Sequence, residues 1–161
     1  MNKRSTTGLY AIATLCLFYL SMVGGGAYEQ MTVTKVLVSA PPDSFAMLQG
    51  EYKFSPVAFW AKLRPLTILL FVVALSANWQ RQPTRNFLVV AFGLDLLVTT
   101  ATFLYFAPEV GLMLEDLNDP SLADRAHTWY RLNFLRLIMF YAVGALLLIA
   151  FKKRSETLHP S

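Results

Sequence analysis

Trp129, Asn133, Arg136 and Phe140 recur at i, i+4, i+7 and i+11, which places them on one face of a helix, and Arg136 lies inside an apolar run from Leu132 to Phe151. A guanidinium keeps its proton at any accessible pH, so in such a run it requires an anion or a water-filled cavity. Glu29, at the end of the first apolar segment, is the carboxylate expected at a similar depth. The pair reads equally as a structural salt bridge and as part of an active site. Asp95 lies near the middle of another apolar segment, about 10 Å deeper by helix rise, with Thr99, Thr102, Phe106 and Glu109 along the same side. An ionisable group at the centre of a bilayer costs at least ~2.5 kcal/mol, so this stripe faces protein and not hydrocarbon. It is either an interhelical hydrogen-bond seam or a proton relay and substrate contact.

Metal chemistry finds little to use. His127 and Arg131 sit one turn apart, with Asp124 three residues before the histidine, but an arginine in that position repels a cation. His159, the other histidine, belongs to the opposite tail, so haem lacks an axial ligand within a span. An outer site built from Glu29, Glu109 and His127 is geometrically open but has no supporting ligand spacing. Cys16 is the single cysteine, which excludes an intrachain disulfide and a cysteine zinc site. No metal is expected, and the sequence names no cofactor.

The elements that position these side chains follow from composition. The chain is 55% hydrophobic and 15% charged with a mean hydropathy of +0.46, where a soluble domain carries about 25% charged residues. Lipid is therefore the expected solvent. Four apolar segments meet the roughly 20 residues that a spanning helix needs, with spans near 9–29, 56–79, 86–106 and 130–151 and outer connections near 30–55 and 107–129. The predicted fold is all-α: an integral membrane antiparallel four-helix bundle, residues 1–161 as a single domain, with a small helical cap on the outer side. Lys3, Arg4, Arg81, Arg85, Lys152, Lys153 and Arg154 gather at one set of helix ends, whereas the connections on the other side are acidic. By the positive-inside rule both termini are cytoplasmic, and the expected location is the cell membrane. These short basic clusters make no groove-facing patch, so nucleic acid is not an expected partner.

Local signals mark the boundaries. Ser55 followed by Pro56 starts the second helix, Pro65 is expected to kink it, and Lys62 and Arg64 are expected to snorkel toward the interface. Asp119 and Pro120 start a fourth helix that nothing breaks as far as Phe151, and Asp43 or Ser44 caps a short helix stopped by Gly50. Beyond Glu29 the first helix has no breaker before Pro41, although Thr32, Val33 and Thr34 suit an extended segment almost as well. The stretch "MVGGGAYEQ" has the small residues of a signal-peptidase site, but keeping the first helix gives four helices that pair, and an uncleaved span is expected. Gly24, Gly25 and Gly26 would then thin this helix so that a neighbouring backbone or ligand approaches closely below Tyr28 and Glu29.

A first helix ending in glycines and "YEQ", a following "SAPP", and a last helix opening with Trp129, Asn133 and Arg136 as W-x3-N-x2-R resemble the small four-helix membrane proteins grouped with fungal anthrone oxygenases. The likeness extends over nearly the whole chain in layout. It implies oxygenation of a lipid-soluble phenolic or polyketide-like molecule: a base removes an acidic C–H, and the resulting enolate reduces oxygen directly. His127 or Glu29 would serve as the base and Arg136 with Asn133 would stabilise the enolate oxygen. Tyr28, Trp60, Trp129 and Tyr130 would line an aromatic slot, or else anchor the helices at the interface, with Asp95 and Glu109 as further substrate contacts.

Two other classes remain open. A scaffold or assembly factor, acting through a homo-oligomer or a membrane-protein partner, predicts a filled interior and an exposed apolar patch on the cap. A small transporter predicts a polar path from the outer site past Asp95 to the cytoplasm. An enzyme predicts an apolar cavity near Glu29 and Arg136 that a hydrophobic small molecule enters from the lipid bilayer.

Overall fold

The computed structural model describes residues 3–157, and side chains for all of these except 3–5 and 56–58. Among them every regular element is helical. Helix α1 (Lys3–Met31) pauses at Thr32, whose hydroxyl bonds back to the Tyr28 carbonyl at 2.6 Å, and the chain continues as the short α2 (Val33–Leu37). The β-branched run is thus helical, not extended. A 3-10 turn, Asp43–Leu48, seats the fully buried Phe45, and Gly50 follows at φ 80°, a left-handed position that suits glycine.

Helix α3 (Pro56–Asn78) begins at the expected Ser55–Pro56 boundary, although Ser55 makes no side-chain capping bond, and it runs through Pro65 without a break. At its far end the Asn78 amide donates to the carbonyls of Gly8 (3.0 Å) and Ala74 (2.9 Å), tying α3 to the start of α1. The intimate glycine contact is here: a Cβ on Gly8 would stand 2.6 Å from Asn78 Oδ1. Gly24 and Gly25 have nothing within 4 Å of such an atom, whereas a Cβ on Gly26 would stand 3.7 Å from Leu137 and 3.8 Å from Trp60, so of the triple glycine only Gly26 meets neighbouring helices, at ordinary contact distance.

Helix α4 (Gln82–Ala101) passes through a π-helical turn, Thr102–Phe106, into α5 (Ala107–Glu115). The third apolar segment therefore extends past 106, and the outer connection shrinks to the few residues before α6 (Leu122–Glu156). Pro108 falls in the first turn after the π segment, where its missing N–H is tolerated. Asp119 sets the start of α6 by accepting bonds from the Ser121 N–H (2.8 Å) and hydroxyl (2.7 Å). Arg125 then joins Glu109 (2.9 Å) to Asp119 (3.1 Å), clamping α5 to α6.

Helix α6 packs along α1 and α4, and α3 along α1; the contact between α3 and α4 is less extensive. Two apolar clusters result. Ile12, Leu15, Phe71, Leu88, Val143 and Leu147 anchor one, and Leu37, Phe45, Phe106, Met113, Leu122 and Trp129 the other, beneath the α2 and 3-10 cap. Four helical stretches, Thr6–Leu37, Phe59–Asn78, Gln82–Glu115 and Leu122–Glu156, are long and apolar enough to cross a membrane. Their outward faces carry Leu17, Leu69, Val73, Leu97, Leu104 and Ile138, all exposed.

Candidate functional site

Between the two clusters lies a polar layer around a cavity of about 130 Å³. Each long helix contributes a run at helical spacing: Tyr19, Met22, Val23, Gly26, Glu29 and Gln30 from α1; Trp60, Ala61 and Arg64 from α3; Asn133, Arg136, Leu137 and Phe140 from α6. Thr99 of α4, Thr102 and Phe103 of the π turn, and Ala107 of α5 complete the wall.

The floor is a buried ionic cluster. Arg64 Nη1 lies 3.0 Å from Asp95 Oδ1, and the Tyr19 hydroxyl donates to the same oxygen at 2.9 Å. The two ionic side chains are 13% and 1% exposed. The Arg64 guanidinium also lies 4.7 Å from the centre of the Phe140 ring. This overturns the expectation that Arg64 snorkels to an interface: a buried carboxylate one helix away is the stronger attraction. Asp95 is therefore an anchor for an arginine below the cavity and does not line it.

Arg136 is held differently. Its Nη1 donates to Thr102 Oγ1 at 3.2 Å, and its guanidinium rests 4.6 Å from the Phe106 ring centre. Among the described residues it enters no ion pair within 4.0 Å, so the predicted direct Glu29–Arg136 salt bridge is absent. Glu29 instead accepts the Trp60 indole N–H at 2.7 Å. Both charged groups still face the same cavity. Asn133 donates to Gln30 Oε1 (2.8 Å) and Gln30 to the Tyr130 carbonyl (3.2 Å), which locks α1 against α6. Asn133 Oδ1 and Thr99 Oγ1 are buried with no protein partner. Such acceptors are costly to leave unpaired, by about 1–3 kcal/mol each, unless something enters to meet them.

The sequence-predicted residues divide accordingly. Glu29, Trp60, Asn133 and Arg136 converge on the cavity. His127 is exposed and does not line the cavity. Tyr28 is 68% exposed and turns to an outer surface groove with Met31, Val36 and Met47. Trp129 is buried in the outer apolar cluster, where its N–H satisfies the Phe106 carbonyl at 3.0 Å. Tyr130 contributes only its carbonyl, to Gln30, and Glu109 is engaged by Arg125 at the surface. His159 lies outside the described residues. Among the described residues no group of three His, Cys, Asp or Glu side chains is placed to hold a metal.

Arg64, Tyr19 and Gln30 were not anticipated at the cavity, whereas Thr99 belongs to the stripe expected beside Asp95. The signal for Arg64 was Asp95 itself, a deep carboxylate in need of a cation, which Arg64 meets while Lys62 is exposed. Compared with known protein families, characterised proteins and solved structures, the chain gives no significant match.

Proposed function

We propose that the protein is an integral membrane protein whose four long helices form an antiparallel bundle, and that its cavity binds a small hydrophobic aromatic molecule carrying oxygen substituents. The observation that carries this reading is an inverted distribution of polarity: apolar side chains cover the outside, while Arg64, Asp95, Asn133 and Arg136 meet inside. That pattern suits a lipid solvent outside and a recognition site within. The basic residues Arg81, Arg85, Lys152 and Lys153 at one end, against Glu109, Glu115, Asp116 and Asp119 at the other, support termini on the cytoplasmic side of the cell membrane.

The reaction proposed, taken from the sequence resemblance, is oxygenase-like. Glu29 is the remaining candidate base, and Arg136 with Arg64 supplies positive charge for an enolate oxygen. In balance, a ring methylene would give up two hydrogens while O2 delivers one oxygen atom to that carbon and the other to water. The cavity volume favours a single ring over a fused polyketide, since an apolar cavity of about 150 Å³ holds one benzene. Packed Leu15, Phe71, Leu88 and Val143 on the far side of Asp95 weigh against a transport path. The exposed groove of Tyr28, Met31, Val36 and Met47 is the feature that favours the alternative, a scaffold that docks a membrane-protein partner or a second copy.

The test is Arg136→Leu in detergent-purified protein, with native mass spectrometry and thermal stability read together. Retained folding with loss of a bound small molecule, or of the thermal shift given by added phenols and quinones, is the expected result. A variant that folds and binds these ligands as the original does would overturn the binding reading.

A further inference from the structure

Resting on that binding reading, we propose that the natural ligand is an amphiphile whose ring head fills the cavity while an aliphatic tail leaves through a gap between α3 and α4–α5 into the surrounding lipid. The wall of the cavity is not closed all round. Ala61 of α3, Phe103 of the π turn and Ala107 of α5 line the interior and are also exposed on the outer face, Phe103 to 66%. These three mark an opening on the side where the helix contact is least extensive. Small side chains form two of its lips, so an aliphatic chain has passage between them.

The interior specifies the head. Each guanidinium has several N–H donors, and among the described residues Arg64 donates to Asp95 and Arg136 to Thr102, one hydrogen bond each. The surplus donors call for ligand oxygens. Asn133 Oδ1, on a residue only 5% exposed, is an acceptor with no protein partner and calls for a hydroxyl. A single ring bearing carbonyl or hydroxyl oxygens, as in a quinone or a phenol, meets both needs within about 130 Å³. The cavity is close in volume to one that holds a single benzene ring, so the further mass of the ligand is placed outside. An apolar tail is the form of that mass which suits the exposed Phe103 at the exit and its exposed neighbour Leu104.

The experiment compares benzoquinone with its decyl-substituted analogue, by thermal shift and by direct binding to protein in lipid nanodiscs. Ala61→Trp and Ala107→Trp narrow the gap from opposite helices, and both sites are exposed, so folding should survive. The expected result is that each variant weakens the decyl compound about tenfold or more beyond any change in the unsubstituted ring, about 1.4 kcal/mol. The inference is overturned if the decyl compound binds either variant as it binds the original protein, or if both compounds weaken equally. Failure of both compounds to bind the original protein would instead overturn the underlying binding reading as well.

Discussion

The buried pair of Arg64 and Asp95 gives the sharpest test of how this interior is held together. Asp95→Leu leaves Arg64 in a site where only 13% of its side chain reaches the surface, and leaves the Tyr19 hydroxyl without its acceptor. Stranding one member of a buried pair costs about 3–5 kcal/mol. A lost hydrogen bond to a charged acceptor accounts for about 1.5–3 kcal/mol, and part of this is already counted in the first figure. The Phe140 ring at 4.7 Å retains some hold on the cation, on the order of 1 kcal/mol. Asp95→Leu is therefore expected to destabilise by about 3–5 kcal/mol and Arg64→Met by a similar amount. The double variant replaces the pair with apolar groups of comparable size and should fall within about 1.5 kcal/mol of the original protein. Reversible unfolding in mixed micelles, followed by helical circular dichroism, completes the cycle. A coupling energy below about 0.5 kcal/mol, the level at which independent sites add, would refute the claim that these charges stabilise one another.

Glycine positions give a second contrast. Gly8→Ala should destabilise by about 1–3 kcal/mol, because its Cβ meets Asn78 Oδ1 at 2.6 Å and the Ala77 carbonyl at 3.1 Å, whereas Gly25→Ala should be neutral or stabilising; thermal unfolding of both variants checks the order. Acid should loosen the start of α6: the Ser121 hydroxyl and N–H, with Arg125, hold the Asp119 carboxyl below its usual value of 3.8. A depressed folded value means that this stabilisation is present above about pH 3.8 and fades as pH falls through the lower folded value. Hydrogen exchange of residues 116–125 should therefore differ between the original protein and Asp119→Asn at neutral pH and converge in acid.

The sequence made the long helices legible because apolar runs and boundary residues act locally: Ser55–Pro56 marks the start of α3, and Asp119–Pro120 precedes the start of α6 by two residues. Asn133 and Arg136 were legible for a related reason, since a polar pair three residues apart in an apolar run must share one inward face. Partner choice was not legible. Whether Arg136 meets Glu29 or Thr102, and whether Arg64 turns toward water or Asp95, depends on the rotation and depth of each helix against its neighbours, which no local spacing encodes. Trp60 illustrates the same limit: a tryptophan near a membrane boundary reads as an anchor, and only the proximity of α1 to α3 makes its N–H the partner of Glu29. The triple glycine was legible only in part: Gly26 lines the cavity, but at Gly24 and Gly25 absent side chains permit a close approach without creating one.

Buried positions along α4 recur as Thr84, Leu88, Ala91, Asp95 and Val98, steps of four and three that would continue to 102, 105, 109 and 112. Phe106 and Met113 are buried instead, and Leu112 is 51% exposed. The π turn thus works as an inserted residue, a phase slip of about 100° in a helix with about 3.6 residues per turn. Upstream of the slip the rod faces the ionic floor, and downstream it faces the outer apolar cluster. One continuous rod can therefore answer to two neighbourhoods whose demands on its surface are out of step.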